Sequence, residues 1–262
     1  MLTLQGVGVI VTRPEQQSTP LCRLLEAQGA HARRLAVIEI HGLDTRKALA
    51  GRSLKLEQFD FIIFTSVNAV RFGAELLDQR RDLNLAAIGP ATARALNQAG
   101  YRVSLQPVEG FDSEGLLAHP KLHSIAGRQV LLVKGQGGRH LLQEALAERG
   151  ARVELAEVYA RSKAVPAVNA LKALETSIAA GELQAITATS VDIGSALLAL
   201  PAPGLRAQFE RLTWVVPAER VATELRSQGL KAPILIAESA EDKDLLAALI
   251  AWREGAVQGS RA

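Results

Sequence analysis

The sequence predicts an α/β protein built from two similar, flavodoxin-like parallel-sheet domains joined by a two-stranded antiparallel linker. Short apolar runs alternate with amphipathic helical patterns along the 262 residues, which is typical of strands covered by helices on both faces. The chain also repeats itself: residues 24–30 (LLEAQGA) resemble residues 145–151 (ALAERGA), and residues 64–68 (FTSVN) resemble residues 188–192 (ATSVD). Because these similar segments recur along the chain, an internal duplication is favoured over chance similarity.

The predicted strands are apolar runs bounded by turn residues. They are residues 7–11, 61–64, 85–88, 130–133, 185–188, 214–216 and 234–236. Helical patterns lie between them at residues 19–28, 91–99, 141–149 and 221–228. A glycine follows each of these patterns, as expected where a left-handed residue stops a helix. These glycines are Gly29, Gly100, Gly150 and Gly229.

The domain organisation follows from two segments that break the strand–helix alternation. Residues 33–41 and 151–163 alternate apolar and polar side chains in part, which predicts half-exposed strands. If they pair antiparallel, residues 42–150 form an inserted domain. The discontinuous domain then consists of residues 1–32 plus 164–262. Two strands make a thin connection, so we expect hinge motion between the domains.

Composition excludes several classes of protein. Thirty Lys and Arg against 27 Asp and Glu give a net charge of only +3, with no basic stripe of the kind that nucleic-acid binders carry. The single cysteine, Cys22, cannot form an intrachain disulfide or a multi-cysteine metal site. No uninterrupted apolar run approaches 18 residues, and no signal peptide is evident. We therefore expect a cytoplasmic protein that binds neither nucleic acid nor membrane.

The familiar chemical motifs are also missing. The glycine-rich loop at residues 135–138 lacks the third glycine of a dinucleotide fingerprint, and no Gly-Lys-Ser/Thr follows it. The histidines show no zinc-binding pattern, and Ser66 and Ser190 lack the nucleophile elbow. We predict no metal site.

Small polar and basic residues nevertheless follow several predicted strands. In open α/β sheets, ligands bind outside the carboxyl ends of strands, and helix starts there favour anions. Helix capping explains each hydroxyl taken alone, and a solvated surface charge explains each cation. For the whole set, an anion-binding cleft between two domains is the more economical hypothesis. The candidate ligand-binding residues are Thr12, Arg13, Thr65, Ser66, Asn68, Gly89, Thr92, Lys134, Gly135 and Ser190.

In order along the chain, the motifs VIVTRP, FDFIIFTSVNAV, AAIGPATARAL, GFDSEGLL, GRQVLLVKG and VYAR resemble the uroporphyrinogen-III synthase family. The resemblance covers essentially the whole chain and implies a reaction that needs no cofactor. The linear tetrapyrrole hydroxymethylbilane loses water and closes with inversion of ring D, giving uroporphyrinogen III for haem synthesis. This substrate carries eight carboxylates, so the expected cations and helix starts suit it.

The resemblance also implies roles for particular residues, and we expect the protein to act as a monomer. Tyr159, in the VYAR motif, matches the family's functionally implicated tyrosine, and Thr92 lies in an implicated loop. A phenol is protonated at neutral pH, so Tyr159 could assist departure of the substrate hydroxyl; packing at the hinge explains it equally well. The second half has VVPAER where the family often has a hydroxyl-bearing loop, so we expect Arg220 to supply an anion contact there.

Two other functions remain open at this point. A non-catalytic two-domain protein that closes on a small ligand has the same architecture, but does not need so many anion-binding loops. A transferase that uses a nucleotide or sugar phosphate is disfavoured by the failed glycine motifs.

Overall fold

The computed structural model describes residues 3–44, 55–110, 112–138 and 140–259. Residues 45–54 of the predicted inserted domain, Phe111 of the GFDSEGLL motif, and Arg139 lie outside the described residues. The backbone groups into two compact units. The first unit is Met1–Glu39 with Ser162–Ala262, and the second is Ile40–Arg161.

The strands and helices alternate along the chain. The strands are β1 (Gly8–Val11), β2 (His31–Arg34), β3 (Ile38–Gly42), β4 (Phe61–Phe64), β5 (Leu85–Ala87), β6 (Val103–Leu105), β7 (Gln129–Gly135), β8 (Arg152–Lys163), β9 (Ala185–Thr187), β10 (Thr213–Val216) and β11 (Ile234–Ile236). The helices are α1 (Glu15–Ala27), α2 (Val67–Gly73), α3 (Pro90–Gln98), α4 (Ser113–Leu117), α5 (Leu141–Glu148), α6 (Val168–Ala179), α7 (Val191–Leu198), α8 (Pro203–Phe209), α9 (Glu219–Ser227) and α10 (Asp242–Gly259). Short 3-10 helices occupy Leu56–Gln58, Ala74–Leu77 and Pro120–Leu122. Each apolar run predicted to be a strand is one, whereas β6 was not predicted.

The first unit contains a five-stranded sheet in the order β11-β10-β9-β1-β2. Its neighbouring strands pair parallel. Numbered along the unit, this order is 2-1-3-4-5, the flavodoxin-like arrangement. The predicted fold class is therefore confirmed in this unit.

The second unit contains a six-stranded sheet in the order β3-β8-β7-β4-β5-β6, and β4 to β8 pair parallel. The sequence echoes relate β1-α1-β2 to β7-α5-β8 and relate β9 to β4. Under this correspondence the parallel strands of the two sheets have the same spatial order. They differ in which parallel strand comes first along the chain: β1 in the first sheet and β4, the counterpart of β9, in the second. The strand orders of the two sheets are thus related by a permutation. Local sequence similarity identifies which segments of the two units correspond, but it does not determine the order of those segments along the chain.

Apolar side chains cover both faces of each sheet. Along β1, Ile10 packs into one core of the first unit, while Val9 and Val11 pack into the other. In the second unit, Ile62 and Ile63 on β4 likewise enter opposite cores. Successive strand residues point to opposite faces, so burial of both faces explains why these strands are continuous apolar runs.

Local backbone signals account for most helix ends. Gly29, Gly100, Gly150 and Gly229 all have a positive φ, between +83° and +88°, which confirms them as helix stops. At helix starts, Ser66 caps α2 by accepting the Ala69 N–H, and Ser190 caps α7 in the same way. The Thr-Ser-Val segments of the two units therefore have the same local role, because the serine of each caps the helix that follows it.

The structure does not confirm a capping role for Thr12. Helix α1 begins at Glu15 with Pro14 at its N-cap position and no side-chain cap. The Thr12 side chain is fully buried, and its hydroxyl donates to the carbonyl of Thr187. A backbone acceptor on the neighbouring strand thus replaces the helix amides as its partner.

The segment predicted as one strand over residues 33–41 contains two strands. Arg33 and Arg34 belong to β2 and pair with β1, and Leu35 and Val37 are buried in a core cluster before β3 begins. Strand β3 lies beside β8 at the edge of the second sheet. The antiparallel linker between the two domains, and its boundaries, stay predictions.

Among the described helices, none is both long enough and apolar enough to cross a membrane.

Candidate active site

A cavity of about 230 Å³ lies in the second unit at the carboxyl ends of its parallel strands. The ends of β4, β7 and β8 supply most of its polar lining, because parallel strands finish at the same edge of a sheet. The sequence-predicted residues that it brings together are Thr65, Ser66, Lys134, Gly135 and Tyr159. Its other polar residues are Ser113, Gln136, Gln143 and Arg161.

A local irregularity of β8 positions Tyr159. Lys134 pairs with Glu157, but the next residue of β7, Gly135, pairs with Tyr159. Val158 is therefore an extra residue, and such a bulge changes the direction of the side chains that follow it. Only 3% of Tyr159 is exposed, and its ring centroid lies 6.1 Å from that of Phe72.

Gly135 provides the space that the Tyr159 ring occupies. A Cβ atom at residue 135 would lie 2.5 Å from Cζ and 2.9 Å from Oη of Tyr159. Both distances are shorter than van der Waals contact, so a larger residue at this position would displace the phenol. The absence of a side chain at Gly135 thus makes room for the phenol.

The phenol oxygen of Tyr159 has two polar neighbours. Its Oη lies 3.1 Å from Oγ of Ser66 and 3.4 Å from Nη2 of Arg161, which donates to it. The guanidinium carbon of Arg161 also lies 5.8 Å from the centre of the phenol ring. Arg161 was not predicted as a site residue. Its position two residues after Tyr159 in a strand is the signal that could have found it, since such residues share a face.

Most of Lys134 is buried, and its ammonium group reaches the surface of the cavity. Only 8% of this residue is exposed, and the described residues provide its ammonium group with no hydrogen-bond or ion-pair partner. A partly desolvated charge is also costly unless it is paired. An anion bound in the cavity would supply the missing partner.

Arg13 occupies the corresponding position in the first unit, but its charge is already paired. Its guanidinium donates to the carboxylate of Asp242 and to the carbonyl of Ala240. With the Thr12 hydroxyl bonded to Thr187, both residues make structural contacts within the first unit. The sequence cannot distinguish Arg13 from Lys134, because each is a basic residue after an apolar strand.

The remaining predicted residues lie elsewhere. Asn68 and Thr92 are buried in α2 and α3, and Gly89 is the N-cap residue of α3. Ser190 caps α7, and Arg220 is exposed on α9. None of these described residues lines the cavity of the second unit.

Comparisons with known proteins agree on one family. The family model for "Uroporphyrinogen-III synthase HemD" matches residues 20–247. The chain is 31% identical over 254 residues to uroporphyrinogen-III synthase of Escherichia coli (strain K12), covering 93% of this chain and 100% of the relative.

Two solved structures share the fold. A mutant uroporphyrinogen III synthase from the extremely thermophilic bacterium Thermus thermophilus is 21% identical, with a TM-score of 0.63 and coverage of 96% of this chain and 99% of that chain. Uroporphyrinogen-III synthetase from Helicobacter pylori 26695 is 17% identical, with a TM-score of 0.61 and coverage of 94% and 99%. Fold and site together define an α/β protein of two parallel-sheet units with a polar cavity at strand ends. Within that class, the chain belongs to the uroporphyrinogen-III synthase family.

Proposed function

We propose that this protein is a uroporphyrinogen-III synthase, which closes hydroxymethylbilane with loss of water and inversion of ring D. The similarity to the Escherichia coli enzyme extends over 100% of that relative. The observation that supports the proposal is the cavity itself, whose lining includes both Tyr159 and Lys134.

The charge of the cavity suits a substrate with many carboxylates. Lys134 lacks a partner among the described residues, and Arg161 contributes a second cation to the lining. Hydrogen bonds between such cations and carboxylates are roughly twice as strong as those between neutral groups. A carboxylate side chain of hydroxymethylbilane would therefore pair with Lys134 and offset the cost of its partial desolvation.

Tyr159 supplies the proton that the first step requires. As the bond between the hydroxymethyl carbon and its oxygen breaks, the departing hydroxide takes the phenolic proton and leaves as water. Arg161 donates to the same phenol oxygen, so its positive charge lies beside the negative charge that develops there. The proton lost from carbon at the end of ring closure returns to Tyr159, and the enzyme is regenerated.

The remaining task is to select one product. Hydroxymethylbilane closes unaided to the isomer in which ring D is not inverted. An enzyme that holds the chain in a single folded conformation favours the other closure through orientation alone.

Isomer analysis tests the proposal directly. Purified protein is incubated with enzymatically generated hydroxymethylbilane, the products are oxidised to porphyrins, and the type I and type III isomers are separated. We expect type III to predominate, and type I alone in a reaction without protein. Type I alone at high protein concentration would contradict the proposal and would favour the non-catalytic ligand binder. The monomeric state, the cytoplasmic location and the absence of nucleic-acid or membrane binding stay separate predictions.

A further inference from the structure

We infer that Ser66 and Arg161 are positioning residues that direct the phenolic hydrogen of Tyr159 into the cavity. The inference rests on the proposed function, since it assigns the groups that prepare the proton for transfer. It depends on the hydrogen-bonding capacity of three side chains that meet at one oxygen atom.

The contact with Arg161 has only one possible direction. A guanidinium group has donors and no acceptor, so Tyr159 Oη accepts the bond from Nη2 of Arg161 at 3.4 Å. This bond uses one lone pair of the phenol oxygen. The phenolic hydrogen must then point elsewhere.

Ser66 determines where that hydrogen goes. The Ser66 oxygen already accepts the Ala69 N–H at 2.9 Å as the cap of α2, and an accepted bond polarises a hydroxyl toward donation. In the proposed arrangement Ser66 donates to Tyr159 Oη across the 3.1 Å contact, in which the geometry permits either oxygen to be the donor. With both lone pairs of the phenol oxygen occupied, its hydrogen is left to the cavity. The same two donors stabilise the oxygen after the proton has left.

The first unit contains a natural reference for this arrangement. Ser190 follows the same Thr-Ser motif and caps α7 by accepting the Ile193 N–H at 3.3 Å. Within the described residues, this amide is the only partner of its hydroxyl. Capping alone thus does not require a phenol, and the bond to Tyr159 is an addition specific to Ser66.

A double-mutant cycle separates positioning from capping. The variants are Ser66→Ala, Tyr159→Phe and the two combined, with Ser66→Thr as the conservative variant that keeps the hydroxyl. We expect Tyr159→Phe to lower kcat about 100-fold, the scale of general acid catalysis. Ser66→Ala should lower kcat about 10-fold and leave KM within about two-fold, as loss of a bond made in the transition state does. Ser66→Thr should restore most of kcat.

The combined variant shows whether Ser66 acts through the phenol of Tyr159 or independently of it. If Ser66 acts through the phenol, adding Ser66→Ala to Tyr159→Phe causes no further loss of kcat. An equal loss in both backgrounds would overturn the inference, because Ser66 would then serve the substrate or the fold directly. Arg161→Met is expected to behave like Ser66→Ala in both backgrounds, and Arg161→Lys should retain more activity.

Two controls keep the outcomes distinct. Thermal unfolding of Ser66→Ala and Ser190→Ala measures the loss of a helix cap at each site, so a shared decrease in Tm is assigned to capping. Type III product from the wild-type protein is the separate test of the proposed function. Wild-type activity together with an unimpaired Ser66→Ala variant would overturn this inference alone, whereas an inactive wild-type protein would overturn both.

Discussion

The phenol oxygen of Tyr159 lies 3.1 Å from the hydroxyl oxygen of Ser66, although 93 positions separate the two residues in the chain. Ser66 follows β4, Tyr159 lies on β8, and β7 runs between these strands. The contact therefore passes over β7, at Gly135, where no side chain obstructs it. The geometry of the site thus depends on three neighbouring strands.

Gly135→Ala is expected to impair catalysis by moving the phenol. The added Cβ would lie 2.5 Å from the Tyr159 ring, so the ring must shift from the position in which its hydroxyl contacts Ser66. Gly135 has no positive φ, and the effect is therefore steric rather than conformational. We expect kcat to fall about 10-fold or more, with a loss of about 1–3 kcal/mol in the free energy of unfolding. Steady-state kinetics and urea unfolding measure the two effects.

Gly255→Ala is the matched control for that substitution. Gly255 lies in α10, and a Cβ there would meet nothing within 4 Å. Alanine is favoured over glycine in a helix by up to about 1 kcal/mol, so this variant should be at least as stable as the wild type and fully active. Normal kinetics of Gly135→Ala would show that the position of the phenol ring is unimportant.

Lys134→Met should weaken substrate binding without weakening the fold. Methionine retains most of the length and removes the positive charge, which has no partner among the described residues. We expect KM to rise about 10-fold, as for loss of a charged hydrogen bond, while the free energy of unfolding stays equal or increases. Lys134→Arg keeps the charge and should retain more affinity. An unchanged KM for the methionine variant would exclude Lys134 from substrate binding.

In contrast to Lys134→Met, the Arg13→Met substitution is expected to lower the stability of the fold rather than weaken substrate binding. Only 13% of the Arg13 side chain and 21% of the Asp242 side chain are exposed in their ion pair. Breaking a partly buried pair should lower the free energy of unfolding by about 1–3 kcal/mol. Asp242→Asn should cost a similar amount, and the double variant should cost less than the sum. A rise in KM with unchanged stability would instead support the substrate-binding role that the sequence predicts for Arg13.

The stability contributed by Asp60 should depend on pH. The Gln129 N–H, at 2.8 Å, and the Arg128 guanidinium, at 2.6 Å, hold the pKa of the Asp60 carboxyl below its ordinary value of 3.8, despite opposing desolvation. A lowered carboxyl pKa stabilises the fold above the unfolded value, and the contribution is lost as the pH falls below it.

The measurement is chemical unfolding of the wild type and Asp60→Asn between about pH 7 and about pH 2, the range over which a carboxyl with a lowered pKa titrates. The wild type should be more stable near neutrality, and the difference should shrink below pH 3.8. A difference that grows on acidification would mean that the pKa is raised instead of lowered.

The sequence determined the elements that depend on local interactions. Apolar runs covered on both faces identified β1, β4 and β10, and Gly29 with its three counterparts identified helix ends, because a left-handed residue is a local requirement. The capping role of Ser66 is local in the same sense. The family-like motifs further directed attention to Tyr159, which does lie in the cavity.

Only the tertiary structure decided which of these residues share a site. Lys134 and Arg13 occupy equivalent local positions, yet Arg13 meets Asp242 from a helix 229 positions away, whereas Lys134 faces the cavity. The bulge at Val158 and the permuted order of the second sheet are likewise invisible in local patterns. The physical reason is that a side chain's partner is set by which strands become neighbours, and that depends on the packing of the whole unit rather than on nearby residues.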